Sequence, residues 1–297
     1  MKAYKQINKC RICNSKKLIN IINLNDQYLQ GSFIKKNIPK PYLKKIPLQL
    51  LLCTNCLLVQ LRHTTSKNVL YKNYWYESGI NSTMRNHLKN LAHEASNMIN
   101  KKNMKVKVLD IGCNDGTLLD FFSSKSYETF GIEPTNAYKD CDKRHTVLNR
   151  FFDKKTAKYF LKNYGSPDII VFTNVFAHIE KFKLLIENLK YLKKKETIFV
   201  IENHYLISVL KKFQFDTFYH EHLRTYSLNS FFYISKLLNM KITKFSFPKR
   251  YGGNIRIFYE SKNIEKKSVL QNIFEEKKVF YFLKKKIYQK FKKVEKI

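Results

Sequence analysis

Acidic residues are scarce in this chain. Its 297 residues carry 23 Asp and Glu against 56 Lys and Arg, a formal charge of +33 at pH 7. Glycine and proline are also few, 8 and 6, with a single tryptophan. So little glycine and proline excludes collagen-like and low-complexity chains and makes every glycine inside a motif informative. Long apolar runs are missing. Leu48–Leu61 and Ile169–Ile179 are too short and too interrupted to span a bilayer, which takes about 20 consecutive apolar residues. The opening residues MKAYKQINK have no apolar stretch behind their basic groups, so no secretory signal peptide is expected. The expected location is cytoplasmic, where thiols stay reduced. A content of 44% hydrophobic and 14% aromatic residues excludes a largely disordered chain. The length suggests about two domains.

The positive surplus suggests an anionic partner: nucleic acid, a membrane surface or a phosphorylated substrate. Two features weigh against nucleic acid. The lysines are spread along the whole chain, whereas nucleic-acid proteins concentrate their charge on one face. The chain is also rich in Lys, Asn and Ile, whose codons are AT-rich, so genome composition can supply the excess. No specific nucleic-acid partner is expected.

Four of the six cysteines form two C-x2-C pairs, Cys10/Cys13 and Cys53/Cys56. Each pair places two thiolates on one tight knuckle, and two knuckles close a tetrahedral site around zinc. Four thiolates fill every position and leave none for water, so the site reads as structural. Such a site contributes folding energy on the order of 10 kcal/mol in small modules. The chain between Cys13 and Cys53 must fold back to bring the knuckles together. Cys113 and Cys141 stand apart from these pairs.

Val106–Ile111 is a short apolar run with the look of a buried parallel strand. It ends in Gly112-Cys113-Asn114-Asp115-Gly116, and an apolar helix starts at Thr117. Glycines here let the backbone approach a ligand at a helix N-terminus. A second strand, Thr129–Ile132, runs into Glu133, placed to accept hydrogen bonds from a ribose diol. The pattern has two glycines, not the three of a dinucleotide fingerprint, and no lysine of a P-loop follows. Alternation continues with helix 153–163, strand 168–172, helix 180–192, strand 197–201 and strands near 241–247 and 254–259. Asn174 and His178 follow the strand ending at Phe172, at the carboxyl edge where ligands bind in such sheets. The expected fold is therefore α/β, a Rossmann-like sheet behind a small N-terminal zinc-binding module.

Residues 202–226 contain Tyr219-His220-Glu221-His222. Such groups are costly to bury unless used. A solvated loop and an H-x-H metal pair, His220 with His222, are open alternatives. The preferred reading is general base catalysis, with Glu or Tyr orienting a histidine.

The D-x-G-x-x-x-G turn with its following Glu resembles motif I of class I S-adenosylmethionine (SAM) methyltransferases. The whole set goes further: C-x2-C twice, Tyr74–Gly79 with Ser82–Arg85, VLDIGCNDGTLL, GIEP, NVFAHI, ENHYL and QFDTFYHEH. Together these resemble, in family order, the zinc-containing SAM-dependent C-methyltransferases of nucleotide-linked 4-keto-deoxysugars. The resemblance implies deprotonation at C-3 beside the ketone and capture of the SAM methyl group by the enolate. His222 matches the base, Tyr219, Glu221 and His178 match its catalytic neighbours, and Tyr76 matches a substrate-site tyrosine. Asp110, Gly112, Asn114, Gly116, Glu133 and Asn174 match the SAM site. The implied substrate is a nucleotide-diphosphate sugar, with Lys249 and Arg250 as candidate diphosphate contacts. An N- or O-methyltransferase of a polysaccharide precursor, an RNA-binding methyltransferase and a non-catalytic remnant are the alternatives.

The chain thereby divides into a zinc-binding module over 1–66, a helical connector carrying Tyr76 over 67–104, a methyltransferase domain over 105–260 and a basic amphipathic tail over 261–297. The tail holds 12 Lys against 4 Glu, and an anionic membrane is an alternative partner for it. The family continues into a further α/β domain, so the resemblance implies a truncated C-terminal domain or a partner chain that supplies it.

Overall fold

The computed structural model describes residues 4–30, 45–66, 70, 77–79, 81–99, 105–122, 126–262, 264 and 266–294, from residue 282 onward by backbone. The N-terminal strands are β1 (Tyr4–Gln6), β2 (Leu18–Tyr28), β3 (Lys45–Cys53), β4 (Val59–Leu61) and β5 (His63–Thr65). Helix α1 (Ser82–Ser96) leads to β6 (Val106–Ile111), α2 (Thr117–Asp120), β7 (Tyr127–Ile132), β8 (Thr146–Leu148) and α3 (Lys154–Tyr164). Then come β9 (Ile169–Thr173), α4 (Phe182–Leu192), β10 (Ile198–His204), α5 (Leu206–Lys212), β11 (Arg224–Thr225) and α6 (Leu228–Leu238). Strands β12 (Lys241–Ser246) and β13 (Asn254–Glu260) precede the long α7 (Lys267–Val294).

The main sheet has seven strands in the order β12-β13-β10-β9-β6-β7-β8. The strands from β8 to β10 are parallel, and β13 runs antiparallel to both β10 and β12. The expected elements are all present, with boundaries moved by one to three residues. β9 reads Ile-Ile-Val-Phe without alternation because helices cover both of its faces. Ile170 and Phe172 face α3, α4 and α6, while Ile169 and Val171 face α1 and α2. Burying each such side chain contributes about 1.5–3 kcal/mol. Helix starts follow ordinary capping chemistry. Asp153 accepts from the Thr156 amide, Asn81 from Thr83, and Ser227 forms a capping box with Ser230.

A second sheet, in the order β11-β4-β3-β2, joins the two ends of the chain's functional region. β2 and β3 form a long antiparallel hairpin from Leu18–Cys53 to Tyr28–Lys45. That hairpin accounts for the wide gap between the cysteine pairs, because it carries the chain out and returns it beside Cys13. The fourth strand is β11, which follows His222 by one residue and pairs with β4. The apolar face of this sheet packs on α5, Phe218 and Leu223.

The basic tail docks on the domain. Glu276 of α7 is buried and accepts from the Leu228 and Asn229 amides at 2.6 and 2.8 Å, capping α6 from outside. Val269, Ile273 and Phe280 are buried beside it. Among the described residues, no helix is long and apolar enough to cross a membrane.

Candidate active site and metal centre

The two cysteine knuckles fold identically. In each, the amide following the second cysteine bonds back to the first cysteine's carbonyl: Asn14 to Cys10 at 3.1 Å and Leu57 to Cys53 at 2.9 Å. Asn14 and Leu57 both adopt a left-handed backbone, φ 60° and 55°, which turns the chain tightly enough to face two thiols inward. The four sulfurs lie within 4.8 Å of one another. Cys10–Cys56 and Cys13–Cys53 are 3.6 and 3.5 Å apart. A tetrahedron with ~2.3 Å Zn–S arms has edges of about 3.8 Å, so the cluster fits zinc with little movement. Hydrogen bonds from Cys53 and Cys56 hold the Cys10 thiol down to about 2, while Cys53 is pushed up to about 12 by Cys10. Cys10 and Cys53 are thus shifted in opposite directions by their mutual contact; a dication between the sulfurs removes that conflict.

The glycine turn stands at the carboxyl edge of β6. Gly112 and Gly116 have φ of 80° and 77°. A Cβ on Gly112 would meet Val175 at 2.5 Å, so the close approach there excludes any side chain. Glu133 braces the turn from β7, accepting from the Asn114 amide at 3.0 Å and the Thr135 amide at 2.7 Å. The segment before α1 sits on the same turn: the Ser78 amide donates to Asn114 Oδ1 and Gly79 to Asp115. Asp110 is fully enclosed, and burial, then Glu133 and Asp115, raise its carboxyl to about 8. Its Oδ1 and the Asn174 Nδ2 are buried without a hydrogen-bond partner among the described residues. Asn174 is left-handed, φ 58°. Cys113 and Cys141, distant in sequence, meet here, with Asn114 O at 3.9 and 3.3 Å from their sulfurs.

One cavity of about 740 Å³ runs from this turn to the histidines. Asp110, Gly112, Asn114, Glu133 and Asn174 line one part; His178, Tyr219 and His222 line another. A tight turn closes residues 219–222, with the His222 amide on the Tyr219 carbonyl at 3.0 Å. His222 Nδ1 lies 2.8 Å from the Thr217 carbonyl, and Nε2 lies 2.9 Å from the Tyr219 hydroxyl. A carbonyl has no proton to give, so Nδ1 carries the hydrogen and Nε2 accepts from tyrosine. Burial, then His178 and His204, hold His222 well below the usual imidazole range, against the pull of the Thr217 carbonyl. The ring is therefore a neutral base of fixed tautomer. His178 is held near 3 by burial, with His204 and Arg224 adding to it, and burial raises Glu221 to about 7. The two sit 3.9 Å apart, too far for a direct hydrogen bond.

His220 faces the other way. Its Nε2 bonds the Ile46 carbonyl of β3 at 3.0 Å, so the H-x-H metal pair does not form. Arg224 is buried in β11 and donates to the Phe176 and Ile179 carbonyls at 2.7 Å each, holding the segment that carries His178. Gln60 beside it accepts from the Arg11 amide inside the first knuckle. Lys249 is exposed, and Arg250 stacks on the Tyr251 ring at 4.6 Å. Tyr76 lies outside the described residues.

Sequence reasoning missed His204, Thr217 and Arg224. His204 ends β10 with its ring 4.9 Å from that of His222. Its signals were its place in the ENHYL stretch and its position at the carboxyl edge of a strand. Behind it, Glu202 is buried and bound by His87 at 2.6 Å, Arg256 at 2.6 Å and Asn254 at 2.8 Å, which ties α1 to β10 and β13.

Residues 80–237 match the family model described as "Methyltransferase domain", and residues 10–71 match that described as "Putative zinc binding domain". The chain is 22% identical over 254 residues to C-methyltransferase NovU of Streptomyces niveus, covering 85% of this chain. It spans 60% of that relative's length. A SAM dependent methyltransferase from Archaeoglobus fulgidus aligns with a TM-score of 0.47 at 18% identity, over 59% of this chain and 93% of that one. The plantazolicin methyltransferase BpumL, in complex with a pentazolic desmethylPZN analog and SAH, aligns with a TM-score of 0.46 at 15% identity, over 62% and 87%.

Proposed function

The chain belongs to the methyltransferase-domain family, and from that premise we propose that it methylates carbon, at C-3 of a nucleotide-linked 4-keto-deoxysugar. The observation that carries this reading is His222, a neutral histidine of fixed tautomer in the same cavity as the glycine turn. Oxygen and nitrogen acceptors have lone pairs ready for methylation. A sugar carbon has none until a base removes its proton. The name of the NovU relative supports carbon as the acceptor, and the ordered motifs support the sugar.

When bound, SAM supplies an electrophilic methyl group. The residues that fit it are Gly112, which keeps the cavity wall open, and Asp110, Asn114 and Asn174, which offer polar groups to the cavity; Gly116 shapes the turn behind them, packed against Cys141. Glu133 uses one lone pair on each oxygen to brace the turn and keeps others for a ribose diol. The base is His222 Nε2, covered by the Tyr219 hydroxyl. The substrate proton reaches Nε2 directly once that hydroxyl swings aside, or through the phenol as its own proton passes on. Either way it ends on the imidazole, whose Nδ1–H keeps hold of Thr217. A positioned base of this kind contributes roughly 10²–10⁴-fold in rate.

The test is incubation with SAM and a panel of dTDP-4-keto-deoxysugars, followed by mass spectrometry. A product heavier by one CH2 unit is expected, with solvent deuterium entering C-3. Absence of product across the panel would overturn the sugar assignment. Methylation without exchange would instead favour oxygen or nitrogen as the acceptor.

A further inference from the structure

Removing the C-3 proton sends an electron pair toward the neighbouring carbonyl oxygen, which then needs a hydrogen-bond donor. The Nδ1–H of His222 is held by Thr217, and the Tyr219 hydroxyl is held by His222. His204 is differently placed. Its ring stands between those of His222 and Tyr251, at 4.9 and 5.6 Å, and lines the cavity. Neither of its ring nitrogens has a hydrogen-bond partner among the described residues. The ring is half-buried, and its nitrogens keep access to the cavity, where a ligand can take up an N–H that no neighbouring side chain uses.

The ring is also held in place. The His204 backbone sits opposite Asn254 in the β10–β13 ladder, and the Tyr205 amide bonds the Gly253 carbonyl at 3.1 Å. Tyr251, which packs on the other side, adopts a left-handed φ of 49°. A Cβ on Gly252 would run into Gln214 and one on Gly253 into Ser208, so the turn that presents Tyr251 is fixed by its neighbours. Strained turns with this degree of support gather at functional sites.

We propose that His204 donates an N–H hydrogen bond to the substrate's carbonyl oxygen as it becomes the enolate oxygen. The inference rests on the C-methylation reading above. Burial keeps His204 near 4, with Asp216 and Glu202 pulling the other way, so the ring is uncharged at neutral pH. An uncharged imidazole stabilises the enolate without protonating it. Protonation there would give an enol and weaken the nucleophile. In the full step the C-3 proton goes to His222 Nε2, and the C–H pair becomes the enolate double bond. The enolate carbon then takes the methyl group, the pair of the broken C–S bond stays on sulfur, the carbonyl reforms, and His222 returns its proton to solvent.

The experiment measures solvent deuterium exchange at C-3 in the presence of S-adenosylhomocysteine, together with turnover and S-adenosylhomocysteine affinity, for wild type, His204→Ala and His204→Gln. The alanine variant should lose about 100–1000-fold in both exchange and turnover, as removal of an oxyanion donor does. Its S-adenosylhomocysteine affinity should be unchanged. The glutamine variant keeps an N–H donor and should recover a large part of the loss. Undiminished exchange in His204→Ala, equal loss in both variants, or loss of S-adenosylhomocysteine binding would each overturn the assignment. A wild type that exchanges nothing would overturn the C-methylation reading itself, so the two failures are distinct.

Discussion

The cysteine cluster and the histidine cluster both gather side chains that bind protons and metals, but only the first is closed. Around the cysteines, every ligand atom faces the other three, and three of the four residues are buried. Around the histidines, His222 is satisfied on both nitrogens, His204 on neither, and a cavity of about 740 Å³ runs past them. What separates the clusters is access: the thiols face one another, whereas the histidine rings line a cavity that a ligand can enter. His220 and His222 differ in the same way two residues apart. One is tied to the Ile46 carbonyl of the N-terminal sheet, the other is turned into the cavity. The zinc-module strands and the loop carrying His222 are thus joined in one sheet, since β11 pairs with β4 just after His222.

Removing zinc tests that link most severely. A structural zinc supplies on the order of 10 kcal/mol to a small module. Chelation, or Cys56→Ser, should therefore strip amide protection from β3 and β4, and also from Arg224–Thr225. Hydrogen exchange reads this directly, and protection retained at β11 would break the connection between module and loop. Next in size is His222→Ala, expected to lower methyl transfer roughly 10²–10⁴-fold while S-adenosylhomocysteine still binds. A calorimetric titration beside the rate assay separates the two effects.

The pH dependence of stability should show the open cluster's burial cost. Glu221 moves from an ordinary 4.5 to about 7 because burial disfavours its charge. Between those values the folded protein keeps a proton that the unfolded chain has released. Its contribution is therefore fully present below pH 4.5 and is lost as pH rises through 7. Glu221→Gln should be isostable with wild type near pH 4 and more stable by about 2–3 kcal/mol near pH 8, in urea melts at each pH. A difference that grows toward acid instead would reverse the sign and refute a buried neutral Glu221. The smallest effect belongs to Tyr219→Phe, which removes one hydrogen bond from Nε2. A loss of about 3–10-fold in turnover corresponds to one such bond. A loss as deep as that of His222→Ala would assign the proton's path to the phenol.

Much of the fold was legible because its signals are local. Ile169–Phe172 has no polar position and so requires cover on both faces, and Gly112 and Gly116 mark the turn that follows β6. The C-x2-C pairs announce their ligand set by spacing alone. The site was legible only in part. Tyr219 and His222 are three residues apart, and one turn joins them. Thr217 reaches His222 within the same loop, five residues away, whereas His204 and the His87–Glu202–Arg256 network come together only through strand order and register, which no local pattern encodes. Arg224 looked like one more surface cation in a chain with 56 Lys and Arg. Its burial follows from pairing with β4, some 160 residues earlier, a contact set by tertiary structure.

The sequence by itself determined the four-thiolate set, the parallel core strands and the glycine turn, because each depends on residue type at short spacing. Tertiary structure decided which histidine faces the cavity and which one holds the N-terminal sheet. His220 and His222 carry the same side chain, and only the sheet on one side and the cavity on the other make one a strut and place the other where the proposed base must stand.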